Sequence, residues 1–159
     1  MKKENIFQFQ EADDSIGFLL WRVHNAWQRE LRRQLKKFNL THTQFVILAC
    51  AHWLNQQDEE VSQVKIARLA KTDTMLTSNV LRALEKKRLI RRKEHSKDSR
   101  AKKILLTKAG IKRLKKAANK VENFDREFFS HLTNSGQFKT ELSKLLKALA
   151  TEQLDQGPD

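Results

Sequence analysis

Hydrophobic residues recur at three- and four-residue spacing along most of the chain, which is the period of an amphipathic α-helix. The first such stretch follows Asp14 and Ser15, either of which can cap a helix. Its apolar positions are Ile16, Leu19, Leu20, Val23, Trp27, Leu31 and Leu35. The single proline is Pro158 and glycine is rare, so little interrupts the later helices. The pattern predicts a mainly α fold.

Three more helices follow at short intervals. The second begins at Thr41 or Thr43 and ends before the polar loop 55–60, and the third spans 61–71. A polar break at 72–73 leads into the fourth helix. Two helices joined by so short a break are typical of a helix-turn-helix.

The fourth helix separates into an apolar and a polar side. At about 100° per residue, Leu76, Val80 and Leu84 share one side and are predicted to face the core. Small hydroxyls, an amide and one arginine on the opposite side and its flanks suit base-edge and phosphate contact. The candidates are Thr74, Thr77, Ser78, Asn79 and Arg82.

The segment LEKKRLIRRKEHSKDSRAKKILLTKAG, around residues 84–110, is the most informative one. Its pattern indicates a helix end, a strand, a basic turn, a second strand through 104–106, and a new helix. An arginine-bearing hairpin behind an amphipathic helix suits DNA, because the helix can enter the major groove while the hairpin reaches a neighbouring minor groove. We call this hairpin the wing and predict a winged helix-turn-helix fold.

The wing carries the order D-x-R-x5-L-T-x-x-G. It is met by Asp98, Arg100, Leu106, Thr107 and Gly110. This resembles the wing of the MarR family of bacterial transcriptional regulators, and residues 73–92 resemble that family's recognition helix and the strand after it. The resemblance covers about residues 14–152. Arg88 departs from the family, which usually has Gly there to cap the helix in a left-handed conformation.

The resemblance implies a homodimer in which terminal helices interleave. Each subunit would present one recognition helix and one wing to a half-site of an inverted-repeat operator, most commonly for repression. We expect an N-terminal arm at 1–13, a winged-helix domain at 14–152 and a tail at 153–159. Within that domain we assign 61–107 to the helix-turn-helix and wing, and 14–38 and 108–152 to the dimerisation helices.

The positive charge is concentrated around the wing. The chain has a net charge of +13, and residues 82–120 hold 17 basic against three acidic residues, a net of +14. The rest is close to neutral, so the surplus is the footprint expected for phosphate binding. Within the wing we assign Arg100 to the minor groove and Asp98 to holding the turn. The phosphate candidates are Arg91, Arg92, Lys97, Lys102 and Lys103.

The resemblance also implies a small effector, since such regulators often bind phenolic or other anionic compounds beside the dimer helices. An effector there would change the separation of the recognition helices and hence the operator affinity. The candidate pocket walls are Trp21, His24, Trp27, Phe45, His52 and Trp53. Any one of these side chains could instead be an ordinary core residue.

Other function classes leave little trace. No HExxH, Walker or GxSxG motif occurs, so we expect no enzyme, no cofactor and no metal. Cys50 is the only cysteine, which rules out an intrachain disulfide and predicts a small buried side chain. A zinc site at His24, Glu30 and His42 stays open.

The chain is expected to be soluble and cytoplasmic. No apolar run reaches membrane-spanning length, and acidic residues stand where a signal peptide would be apolar. Two alternatives to a sequence-specific regulator remain. One is an architectural protein that binds nucleic acid through charge alone, and the other is a protein-interaction module in which the wing is only a scaffold.

Overall fold

A computed structural model describes residues 6–57, 60–94 and 102–155, with side chains as far as residue 149. Six helices and a two-stranded antiparallel sheet follow a short 3-10 helix at Ala12–Asp14. They are α1 (Ile16–Lys36), α2 (His42–Gln57), α3 (Gln63–Ala70), α4 (Thr74–Lys86), β1 (Ile90–Glu94), β2 (Lys102–Leu106), α5 (Lys108–Phe129) and α6 (Ser135–Asp155). The element order is the one that the sequence pattern predicts.

The chain divides into two compact units, Met1–Val121 and Glu122–Asp159. The first unit has an apolar core to which α1 to α4, both strands and the first part of α5 contribute. Its fully buried side chains include Leu31, Leu35, Ile47, Leu48, Ile66, Leu81, Leu84, Leu89, Ile90 and Ile104. Burying each such side chain stabilises the fold by about 1.5–3 kcal/mol before the entropy of ordering is subtracted.

The wing is a regular antiparallel pair, running from Ile90 opposite Leu106 to Glu94 opposite Lys102. A third segment fastens it to the body of the unit. The backbone N–H of Ile104 donates to the carbonyl of Val61 at 2.8 Å, beside an isolated bridge between Ser62 and Lys103. The strands are therefore held to the segment that leads into α3.

Helix α2 ends later than the sequence predicts. It runs on to Gln57, so Asn55 lies inside the helix and not in a loop. The side-chain amide of Asn55 donates to the carbonyl of Ile104 at 3.0 Å and accepts from the backbone N–H of Leu106 at 3.4 Å. These bonds join α2 to β2 and explain why a polar residue extends the helix.

The end of α4 keeps a left-handed cap without glycine. Arg88 has φ 58°, its N–H donates to the carbonyl of Glu85, and the next N–H, of Leu89, donates to Leu84. This is the Schellman arrangement that glycine normally favours. Asn39 and Lys71 adopt the same left-handed conformation at the ends of α1 and α3. An arginine therefore occupies a position that carries a conformational cost of about 1–3 kcal/mol.

The second unit holds the end of α5 and all of α6. Phe128 lies at the centre of an aromatic cluster, with ring centroids 5.6 Å from Phe124 and 5.2 Å from Phe129. Phe129 in turn lies 6.1 Å from Phe138 of α6. Asn134 caps α6 by accepting from the backbone N–H of Gln137 at 2.9 Å. Most of the leucines farther along α6 are exposed.

Within the described ranges, no helix combines the length and the apolar composition needed to cross a bilayer.

Candidate nucleic-acid interface

The start of α4 is fixed by hydroxyl and carboxylate groups. Asp73 caps the helix by accepting from the backbone N–H of Leu76 at 2.7 Å. The hydroxyl of Thr77 donates to the carbonyl of Asp73 at 2.8 Å and lies 2.9 Å from the hydroxyl of Thr72. Thr77 is fully buried, so its predicted contact with DNA is wrong. Its role is to hold the first turn of α4 against the break that precedes it.

Thr77 is buried because the whole helix is oriented differently about its axis from the orientation that the sequence predicts. Thr77, Val80, Leu81 and Leu84 form the buried face, while Leu76 is 41% exposed. At about 100° per residue, this face is turned by about 50° from the predicted one. The rotation is possible because hydrogen bonds within the first turn satisfy the hydroxyl of Thr77.

The exposed face of α4 presents several polar groups in a row. Thr74, Asn79 and Arg82 are exposed, and Ser78 is half-buried and accepts from the guanidinium of Arg82 at 3.3 Å. Met75 lies on the same face. A hydroxyl, an amide and a guanidinium can donate to base edges and phosphates, and the carboxylate on this side of the helix, that of Glu85, is paired with Arg92.

The neighbouring residues Arg91 and Arg92 lie on opposite faces of β1. Arg91 is exposed, whereas the side chain of Arg92 is only 21% exposed. Nε of Arg92 lies 3.2 Å from a carboxylate oxygen of Glu85, and its guanidinium donates to the carbonyl of Ser78 at 3.4 Å. Arg92 thus ties the wing to α4, which the sequence analysis missed. The guanidinium that the sequence assigns to a phosphate is thus engaged within the protein.

Positive side chains surround the base of the wing. An open recess there is bordered by exposed Arg88, Arg91, Lys93 and Lys108, and the only acidic group among its described lining residues is Glu85, which pairs with Arg92. On β2, Lys102 is exposed and Lys103 is half-buried. The predicted tip residues Lys97, Asp98 and Arg100 lie outside the described residues.

Two residues of the L-T-x-x-G motif set the angle at which α5 leaves the wing. The hydroxyl of Thr107 accepts from the backbone N–H of Gly110 at 2.9 Å, so Thr107 is the N-cap of α5. The same hydroxyl lies 2.8 Å from the carbonyl of Arg88. At Gly110 a Cβ would stand 2.0 Å from the carbonyl oxygen of Leu89, so only glycine fits there.

Lys87 is a cation that the fold uses internally. Its ammonium donates to the carbonyl of Asn39 at 2.6 Å and to the side-chain oxygen of Gln44 at 2.8 Å. Burial lowers the pKa of Lys87, and the nearby guanidinium of Arg113 lowers it further. Lys87 therefore joins the end of α4 to the start of α2 and adds little to the open positive surface.

The six predicted pocket residues do not form one enclosed site within the described chain. Trp21, His24 and Trp53 are exposed, while Phe45 and His52 are half-buried. The ring of Trp27 lies 6.2 Å from that of His24 and 5.2 Å from that of His42. The open recess at the end of α1 is lined by none of the six.

The geometry gives little support to a reactive Cys50 thiol or to the zinc site that the sequence leaves open. Burial raises the pKa of the Cys50 thiol, so the thiolate that reacts with oxidants is scarce at neutral pH. Among the side chains that the structure describes, no three His, Cys, Asp or Glu residues are grouped as a metal site requires. His24, Glu30 and His42 accordingly form no such group.

Comparisons with known proteins agree with this architecture. A model of the MarR family matches residues 40–102. The HTH-type transcriptional regulator YdcH of Bacillus subtilis (strain 168), described as uncharacterized, is 36% identical over 140 residues, which span 88% of this chain and 95% of YdcH. The S. aureus MepR–DNA complex is 27% identical with a TM-score of 0.76, covering 87% of this chain and 99% of MepR. AbsC of Streptomyces coelicolor, 21% identical with a TM-score of 0.77, shares the fold over 94% of this chain and 99% of its own.

Proposed function

Because this chain belongs to the MarR family of transcriptional regulators, we propose that it binds an inverted-repeat operator in double-stranded DNA as a homodimer and represses transcription. The observation that carries the proposal is the placement of two surfaces in one unit. The exposed polar face of α4 and the basic wing follow each other directly, and Arg92 and Glu85 join them. A helix and a hairpin so joined can occupy adjacent grooves.

We assign direct readout to α4 and positioning to the wing. Base edges would be read by exposed Asn79 and Arg82, with Thr74 and Ser78 at the rim of the contact. Arg100 would enter the minor groove, with Asp98 holding the turn around it. The phosphate contacts would come from Arg91, Lys97, Lys102 and Lys103, with Arg92 acting through its hold on α4.

The homodimer is supported by apolar surface that the single chain leaves uncovered. Trp21 and Leu20 are exposed in the first half of α1, and Leu145 and Leu146 are exposed on α6. Patches of this kind on terminal helices are typical of a subunit interface. A two-fold dimer would place two copies of α4 against two half-sites.

An effector is the second part of the proposal. A small aromatic or anionic compound would bind at the six aromatic residues named above once a second subunit covers them, and would release the operator. The support is the group formed by His24, Trp27 and His42, which offers ring faces and imidazole donors. Thermal-shift measurements with aromatic acids test it, and the absence of any stabilisation would contradict it.

We further propose that the protein has no enzymatic activity and acts in the cytoplasm, where bacterial DNA lies. The support is that its relatives carry names of transcriptional regulators.

A competition titration tests the regulator against a charge-driven architectural protein. High-affinity duplexes are first selected from a random-sequence pool, and binding is then followed by fluorescence anisotropy with excess nonspecific DNA. We expect a selected duplex to survive the competitor. Binding that the competitor abolishes for every selected duplex would favour the architectural protein, whose support is the +14 charge of residues 82–120.

The wing is tested on the same duplex. Arg100→Ala is expected to weaken binding by about 1–3 kcal/mol. Lys139→Ala is the matched control, because it removes the same charge from exposed α6. If both variants bind like the wild type, the wing is only a scaffold and the minor-groove assignment is wrong.

A further inference from the structure

Met75 occupies the middle of the exposed face of α4. It is the second residue of that helix and 76% exposed. At about 100° per residue, Met75 lies within about 20° of Arg82 and about 40° of Asn79. The periodicity of the sequence predicts only polar residues as DNA contacts of α4, because it orients the helix differently about its axis. The observed burial of Thr77 and Leu81 turns Met75 to the centre.

The surroundings of Met75 distinguish it from an ordinary exposed apolar residue. Single exposed apolar side chains are common and need no explanation. Met75, however, lies on the same side of the helix as Asn79, one turn further along, and Arg82, two turns further along, in the first turn of a helix that Asp73 caps. In helix-turn-helix proteins the first turns of the recognition helix face the base edges. A large apolar group there needs an apolar partner on the DNA.

The major groove offers one such partner. Thymine alone among the four bases presents a methyl group, at C5, and cytosine presents only a C–H at that position. The methionine side chain is long, unbranched and polarizable, so it can follow a methyl group without strain. We propose that Met75 reads the 5-methyl group of a thymine in each operator half-site. This inference rests on the proposed function, since it requires α4 to lie in the major groove.

Replacing thymine by deoxyuridine tests the contact, because it removes only the 5-methyl group. Each thymine of a duplex selected by the wild-type protein is replaced in turn, and each duplex is titrated by fluorescence anisotropy. We expect one or two positions per half-site at which the replacement weakens wild-type binding about three- to tenfold. Met75→Ala should weaken binding to the unmodified duplex by a similar factor. This variant should bind the unmodified duplex and the duplexes with deoxyuridine at the sensitive positions equally.

Two control variants change the shape or the position of the apolar group. Met75→Leu keeps an apolar side chain and should retain most of the sensitivity to deoxyuridine. Leu69→Ala removes an exposed apolar group from α3 and should leave the sensitivity unchanged. Because Met75 is exposed, the unfolding midpoint of Met75→Ala should equal that of the wild type, which separates lost contact from lost fold.

The outcomes distinguish this inference from the proposal beneath it. If no thymine position is sensitive, or if Met75→Ala remains as sensitive as the wild type, the methyl contact is wrong while sequence-specific binding stands. If no selected duplex survives competitor DNA, the proposed function fails and the inference fails with it.

Discussion

The leucines of the first unit and those of α6 are the same residue type in opposite environments. Leu81 and Leu84 of α4 are fully buried, whereas Leu145 and Leu146 of α6 are about 60% exposed. The first unit therefore has an apolar core of its own. Helix α6 has apolar surface that its own chain leaves in water, at a cost that a second subunit would remove.

Charge follows the same division. Residues 82–120 hold a net charge of +14, and the rest of the chain is nearly neutral. The first unit therefore presents a positive surface suited to a polyanion, whereas the exposed leucines of α6 form a surface suited to another protein. Substitutions can disturb the first unit and the exposed apolar surface of α6 separately.

Gly110→Ala should produce the largest loss of stability, because it disrupts the packing of the first unit. A Cβ at this position would overlap the carbonyl oxygen of Leu89, so α5 must move away from the wing. We expect the free energy of unfolding to fall by about 3 kcal/mol or more, measured by urea denaturation followed by circular dichroism.

Gly17→Ala is the matched control for that variant. Gly17 also lies in a helix, but its added Cβ would meet nothing closer than 3.9 Å. Alanine should therefore stabilise the protein by up to about 1 kcal/mol. Equal losses in the two variants would show that the contact with Leu89 does not constrain α5.

The double variant Leu145→Asp, Leu146→Asp acts on the exposed side. If these leucines pack against a second subunit, buried carboxylates should weaken association by at least about 2 kcal/mol. Sedimentation at micromolar concentration should then show monomers. Thermal unfolding of the double variant should still show the cooperative transition of the first unit. Leu69→Asp, at an exposed position of α3, should remain dimeric. A wild-type protein that sediments as a monomer would overturn the dimer itself.

Arg91→Gln and Arg92→Gln compare two adjacent cations on opposite faces of β1. Exposed Arg91 should contribute a phosphate contact, so its loss should reduce the slope of log affinity against log salt by about two per dimer. Arg92 pairs with Glu85, so its loss should leave the slope nearly unchanged and reduce stability by about 1 kcal/mol. Equal changes of slope in the two variants would place both guanidinium groups on the DNA.

Arg88→Gly should have the smallest effect and the opposite sign. Glycine adopts the left-handed cap without strain but loses more conformational freedom on folding, so the free energy of unfolding should rise by only about 0.5–1 kcal/mol. Arg88→Ala, which removes the charge and keeps the strain, should not gain stability. A gain of the same size in both variants would assign the effect to charge.

The order of helices and strands could be predicted because each is marked locally. Ser15 caps α1 by accepting from the N–H of Phe18, and Thr107 caps α5, as their positions before apolar runs predict. The family membership and the role of transcriptional regulator are likewise confirmed. These features depend on residues only a few positions apart.

The rotation of α4 and its ties could not be predicted, since they depend on distant residues. Lys87 contacts Asn39 across 48 positions, and Asn55 contacts Ile104 across 49. The sequence pattern treats Thr77 as polar and assigns it to the exposed side of α4, but a hydrogen bond from its hydroxyl to the carbonyl of Asp73 allows its burial. Periodicity therefore predicts that a helix is amphipathic more reliably than it predicts which residues lie at the centre of the buried face.

The stoichiometry of the complex with a selected duplex separates a dimeric, sequence-specific regulator from a monomeric or nonspecific DNA-binding protein. Anisotropy titration above the dissociation constant, at near-physiological salt with excess nonspecific DNA, should saturate at two protomers per duplex. The two half-sites in that duplex should form an inverted repeat. Saturation at one protomer, or binding that extends steadily with duplex length, would contradict a dimeric, sequence-specific regulator.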